Sequence, residues 1–99
     1  MNFDTIFAHK VRKEIKELEQ DHSMAHHLKE VNKALEFLKA NPKHPSLHTH
    51  KYSKKTGENG EEVFEAYAEN HTPGAYRIFW HYGPGKNIIT IIDIIHHPR

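Results

Sequence analysis

Arg77, Asp93, His96 and His97 stand among isoleucines and aromatic residues in the stretch from Ala75 to Arg99. A charge in such company is costly unless it is paired or faces a wet cleft, so each of these positions needs a reason. An arginine and a histidine on one surface are suited to phosphodiester cleavage. The guanidinium stabilises the negative phosphorane and the imidazole moves a proton near neutral pH. Arg77 with His96 or His97 is therefore the candidate catalytic set. The plainer reading of Arg77 is an ion pair with Glu65 or Glu69, and that of His-His-Pro-Arg is a solvated tail.

Two strands must position these groups. Tyr76, Ile78, Phe79, Trp80 and Tyr82 precede Gly83, and Ile88, Ile89, Ile91, Ile92 and Ile94 follow Lys86. Runs so rich in β-branched and aromatic residues read as an antiparallel pair, with Gly83-Pro84-Gly85-Lys86 as its tight turn. A turn of two or four residues sets Arg77 opposite Ile92 and Phe79 opposite Thr90, which puts His96 on the Arg77 face. A turn of three or five residues puts His97 there instead. The glycine-rich turn opens no helix, so it is not a phosphate loop.

The remaining candidates lie earlier. In a strand His48 and His50 share a face, with His44 near, a pair able to hold zinc or copper. No cysteine and no carboxylate at fixed spacing supplies a third ligand, so no metal and no cofactor is expected. Tyr52 with Lys51, Lys54 and Lys55 mixes an aromatic ring with cations, as surfaces that track a nucleic-acid backbone do. A lysine-rich loop beside a strand has the same composition.

The chain of 99 residues has room for one domain with one core, spanning residues 1–99, and it contains no cysteine. That composition suits a reducing, cytoplasmic setting. The start lacks a leader pattern and nowhere do eighteen apolar residues run together, so neither secretion nor a membrane span is expected. The formal net charge is only +1, but residues 39–55 carry five lysines and no acid, and residues 58–69 five glutamates and no base. Such segregation permits a nucleic-acid partner.

Phe7, Val11, Ile15 and Leu18 repeat at four and three, predicting a helix from about residue 5 to 20 with Asp4 as its cap. The alternation of Phe3, Thr5 and Phe7 also suits a short initial strand. Asp21-His22-Ser23 breaks the pattern and offers a cap for a second helix, whose stripe is Leu28, Val31, Leu35 and Leu38. Asn41-Pro42 must end it. The short connection predicts that the two helices lie antiparallel and pack on a sheet. Leu47 to Ser53 and Glu62 to Asn70 alternate as strands, separated by a turn at residues 56–60, and His71-Thr72-Pro73-Gly74 leads into the last pair. The expected fold class is α+β, two layers, with an N-terminal helical hairpin on a four-stranded antiparallel sheet.

Four stretches in order, NPKHPSLHTHKY (residues 41–52), EEVFEAYAEN (61–70), GAYRIFWHY (74–82) and IITIIDIIHHP (88–98), resemble the RelE/ParE superfamily of toxins from bacterial type II toxin-antitoxin systems. The resemblance spans about residues 24–98, and its most specific part is the Tyr76-Arg77-Ile78 strand followed by an apolar strand ending in histidine. It implies a helical hairpin against a curved sheet, a small antitoxin partner, and ribosome-dependent cleavage of mRNA without a metal. The family's other branch implies a non-catalytic module that poisons gyrase. By this resemblance Arg77 is the phosphate stabiliser and His96 or His97 the acid or base. His50 and Lys51 fall where other members supply a base or cation, giving His50, Lys51, Lys54 and Lys55 as the expected RNA-binding set.

Overall fold

The computed structural model describes residues 2–70 and 74–96. Its elements are β1 (Asp4–Phe7), α1 (His9–Gln20), α2 (Ala25–Ala40), β2 (His50–Thr56), β3 (Glu62–Tyr67), β4 (Tyr76–Tyr82) and β5 (Ile88–His96). They form one five-stranded sheet in the order β1-β5-β4-β3-β2. β1 runs parallel to β5 and the other pairings are antiparallel. The α+β class is as expected, but the four-stranded antiparallel sheet is corrected to five strands of mixed direction.

The fifth strand comes from residues assigned to the first helix. Phe3 and Phe7 pack against the core while Ile6 between them is exposed, the alternation of a strand. Pairing Asp4 with Ile88 and Phe7 with Ile91 satisfies an edge of β5 that the hairpin leaves open. That long-range ladder outweighs the local helical spacing. Asp4 is therefore no cap, and α1 starts only at His9 with no side-chain hydrogen bond at its N-cap.

The second helix follows its pattern more closely. Asp21 Oδ1 accepts from the Ser23 backbone N–H at 3.0 Å and closes a short 3-10 turn that leads into α2. Proline at position 42 bars its continuation after Ala40. The strand expected at Leu47 to Ser53 begins later. Pro45–Leu47 form another 3-10 turn, ended by His48 in the left-handed region at φ 48°, before β2 starts at His50.

Both helices contribute to one core with a single face of the sheet. Val11, Leu18, Val31, Ala34 and Leu38 meet Ala66, Tyr76, Ile78, Trp80, Ile89, Ile91 and Ile94. Phe64 stacks on Trp80 with ring centroids 5.0 Å apart. Trp80 is wholly buried, so Trp80→Ala should cost about 3–5 kcal/mol. Its indole N–H has no hydrogen-bond partner among the described residues. Trp80→Phe, which removes that group and keeps a ring, should therefore cost less than half as much in urea unfolding.

Register decides which polar side chains share a surface. Near the turn His81 opposes Thr90 and Tyr82 opposes Ile89, the parity of an even-numbered turn. The loop spans four residues between Gly83 and Ile88, with Gly83 and Gly85 supplying positive φ at 85° and 90°. Farther along, Ile92 is left without a partner, because Trp80 opposes Ile91 while Phe79 opposes Asp93. One extra residue on β5 reverses the parity for the rest of the pair. Arg77 therefore opposes Ile95 rather than Ile92, and His96 opposes Tyr76.

Candidate functional site

The bulge separates the two groups expected to cleave RNA together. Tyr76 and His96 lie on the helix-facing side of the sheet, and Arg77 lies on the other with Tyr67 and Glu65. The joint Arg77–His96 site is thus corrected. His97 lies outside the described residues.

Arg77 is 5% exposed and enclosed by protein groups. Its guanidinium stacks 3.7 Å above the centre of the Tyr67 ring, and Nε lies 3.7 Å from Glu65 Oε2. Nη1 donates to the Glu69 carbonyl, with the Tyr76 carbonyl 3.4 Å away. Both glutamates named in the plainer reading are present, Glu65 through its carboxylate and Glu69 through its backbone. Arg77 holds β3 to β4 from this enclosed position.

His96 has an internal role as well. Its Nδ1–H donates to the Gly74 carbonyl at 2.9 Å, which leaves Nε2 to accept from the Tyr76 hydroxyl at 3.1 Å. Beside it His27 Nδ1 lies 2.6 Å from Glu69 Oε1, a contact between α2 and the end of β3 that sequence spacing does not reveal. The burial of Glu69 follows from its register opposite the Tyr76 end of β4, where the Tyr76 N–H donates to it at 3.2 Å.

The exposed polar groups gather instead around the start of β2. A cleft of about 640 Å³ is lined by Lys43, His44, Pro45, His48, Thr49, His50, Lys51, Phe64 and Tyr82. Its wall combines five potential cations with two aromatic rings, and Tyr82 is 42% exposed. Strand and turn cooperate in placing the histidines. The left-handed backbone at His48 turns the chain out of the 3-10 turn, and His50 begins the ladder opposite Glu65.

Hydrogen bonding gives the histidines different surroundings. His50 Nδ1 faces the His48 carbonyl at 2.8 Å and Nε2 faces the buried Glu65 Oε1 at 2.7 Å. Two acceptors hold the ring from both sides, so His50 is fixed in orientation at the cleft wall. His48 differs, because among the described residues its Nε2 meets the Asn70 side-chain amide at a long 3.4 Å. That nitrogen is a proton acceptor with little to give up. His44 Nδ1 accepts from the Ser46 N–H and its ring stacks on Phe37 at 4.1 Å, so it is a structural wall.

The expected RNA-binding set divides accordingly. His50 and Lys51 line the cleft, and Lys51 makes an exposed ion pair with Glu62 at 3.3 Å, weak enough to exchange for a phosphate. Lys54 is exposed farther along β2, away from the cleft. Lys55 crosses to the Phe79 ring and pairs with Asp93 at 3.1 Å. The zinc or copper pair weighed at His48 and His50 gains no third ligand, since no three His, Asp or Glu side chains converge among the described residues. Nor, among them, is any helix long and apolar enough to cross a membrane.

No protein-family model matches the sequence, and a search of curated proteins finds no match. Solved structures do match. The structure described as the archaeal RelE-RelB complex from Pyrococcus horikoshii OT3 superposes with a TM-score of 0.68 at 15% identity, over 100% of this chain and 99% of that one. A YoeB/ParE toxin from Agrobacterium tumefaciens gives a TM-score of 0.70 at 8% identity, over 96% of this chain and 99% of that one. Agreement along nearly the whole length at such low identity is agreement of backbone, and it extends the resemblance seen in the sequence: this chain has the fold of the RelE/ParE toxins.

Proposed function

We propose that this chain is the toxin of a toxin-antitoxin pair and that it cleaves mRNA on the ribosome, with the cleft at the start of β2 as its RNA-binding surface. The observation that carries the reading is the pairing of cations with aromatic rings in that cleft, His50, Lys43 and Lys51 beside Phe64 and Tyr82. Bases stack on such rings while cations meet the phosphates. The fold shared with RelE and YoeB/ParE structures supports the toxin assignment, and the RelE-RelB complex supports a small antitoxin as partner.

In this reading the two cleft histidines carry the chemistry. His48 Nε2 takes the proton of a ribose 2′-hydroxyl as its oxygen bonds to the adjacent phosphorus. The His50 ring, with Lys51, faces the negative charge that develops on the phosphoryl oxygens, and Glu65 holds that ring in place. The bond from phosphorus to the 5′-oxygen then breaks, and water supplies the proton to that oxygen. A 2′,3′-cyclic phosphate and a 5′-hydroxyl are the products. Arg77 acts behind this surface, holding Glu65 rather than touching RNA.

The test is a reconstituted translation reaction in which mRNA ends are mapped after adding purified protein. Cuts that need ribosomes are the expected result, and intact mRNA would overturn the nuclease reading. The enclosure of Arg77 favours a second reading, a binding module on the same scaffold that acts on gyrase or only on its partner. Growth arrest with altered DNA supercoiling and uncut mRNA would select it.

A further inference from the structure

We propose that the solvent face of α1 is a docking surface for the phosphate backbone of duplex RNA. The inference rests on the proposed function for its choice of RNA, and it adds a second contact to the cleft that takes the mRNA. Its starting point is a helix whose charges run against its own electrostatics.

The N-terminal end of an α-helix favours acids and the C-terminal end favours bases, because the unpaired N–H and C=O groups there carry partial charge. In α1 that order is reversed. Its first turn holds His9, Lys10 and Arg12 and no acid, and its last turn holds Glu17 and Glu19 and no base. Lys13 and Lys16 continue the basic run. Arg12 and Lys16 stand four residues apart, and Lys13 and Lys16 three, so like charges are neighbours on the helix and repel. No side chain caps the N-terminus either. Local chemistry thus disfavours this helix, and the packing of Val11, Ile15 and Leu18 on the core holds it in place. An ordinary solvated face has no cause for that order of charges, whereas an anion-binding face does.

The cations share one side. At 3.6 residues per turn His9, Arg12, Lys13 and Lys16 fall within an arc of about 100°, opposite Val11 and Leu18. All of them are exposed, and the acids of α1 lie outside the arc. Among the described residues none of these side chains makes an ion pair. Lys10 is turned aside, with Nζ 3.2 Å from Asp93 Oδ2. What remains is a stripe of Arg12, Lys13 and Lys16, extended by the His9 ring, along roughly 10 Å of helix.

What the stripe lacks identifies its partner. A protein interface is anchored by apolar or aromatic side chains, and a helix that lies on a membrane buries an apolar face in the lipid. The apolar residues of α1 are already committed to the core, with Val11 0% and Leu18 5% exposed and Ile15 packed against them. A phosphate backbone needs cations alone. The location suits a second contact, since α1 covers β5 and the cleft begins at β2 on the far edge of the sheet. Three strand spacings, about 14 Å, separate β5 from β2. A single strand in the cleft and a duplex on α1 therefore do not compete for space.

Fluorescence anisotropy of a labelled RNA duplex of about 20 base pairs, titrated with the full chain from about 50 to 250 mM KCl, tests this. The variant combines Arg12→Gln, Lys13→Gln and Lys16→Gln, which keep helix propensity. It should bind about 10–100-fold more weakly at about 0.1 M salt, with the slope of log K against log salt smaller by about 2 to 3. Its urea midpoint should not fall, because repulsion and the conflict with the helix dipole are relieved, so the loss is not one of folding. Lys29→Gln, Lys33→Gln and Lys39→Gln together remove the same charge from α2 and should bind like the parent. Unchanged affinity and slope in the α1 variant, an equal loss in the α2 variant, or tighter binding of a DNA duplex of the same sequence would overturn the proposal. So would binding by the parent to anionic phospholipid vesicles or to a glutamate-rich peptide in place of the RNA duplex. The assay needs neither ribosomes nor cutting, so its failure is separable from that of the nuclease reading. Cut mRNA with no duplex binding ends this inference alone, and uncut mRNA with duplex binding that depends on the stripe ends only the nuclease reading.

Discussion

Arg77→Ala is expected to lower stability by about 3–5 kcal/mol, measured as the urea unfolding midpoint. The loss has three sources in one side chain. Tyr67 loses the cation stacked 3.7 Å from its ring centre, the Glu69 carbonyl loses a donor, and the buried Glu65 loses the guanidinium at 3.7 Å. A small domain holds only about 5–15 kcal/mol in all, so the variant should be partly unfolded at growth temperature. Arg77→Lys should not rescue it, because an ammonium neither stacks flat on Tyr67 nor forks between β3 and β4. Arg77→Met, which refills the volume without charge, should recover part of the loss. Loss of toxicity in Arg77→Ala would then report the fold rather than the chemistry. A variant with the parent's unfolding midpoint and no cleavage would instead return Arg77 to a catalytic role.

His48→Asn is expected to do the reverse, removing cleavage by about 10²–10⁴-fold while leaving the unfolding midpoint almost unchanged. The choice of asparagine comes from the backbone. His48 sits at φ 48°, a region where asparagine is among the residues best tolerated, so the turn into β2 should survive. His48 is exposed and its side-chain hydrogen bond to Asn70 is long, so little stability depends on it. Ribosome-dependent cutting in the translation reaction is the readout. Full activity in His48→Asn would remove the proton acceptor from the scheme and leave the cleft as a binding surface only. His50 is a poorer first test, because removing it also takes a hydrogen-bond partner from the buried Glu65.

The two results together would separate scaffold from chemistry. The sheet carries two kinds of charge: enclosed groups that tie strands together, Arg77, Glu65 and Asp93, and exposed ones around the start of β2. The enclosed kind is conspicuous in the sequence, as an arginine among isoleucines. The exposed kind is harder to single out, since histidines and lysines in a turn are common on any surface.

What the sequence determined alone is whatever rests on local periodicity and backbone chemistry. The stripe through Val31 and Leu38 with the proline after Asn41 defines α2, and the alternation around Ala66 and the apolar runs define β3, β4 and β5. A buried arginine's need for a carboxylate already pointed to Glu65 and Glu69. Tertiary structure alone decided the rest. Residues 4–7 become strand because β5 offers an unpaired edge, an interaction more than eighty residues away that outweighs helical spacing. A single unpaired residue at Ile92 decides that His96 faces the helices and not Arg77. Neither effect leaves a local mark, because strand pairing is set by partners distant in the chain, and a slip of one residue turns every later side chain to the opposite face.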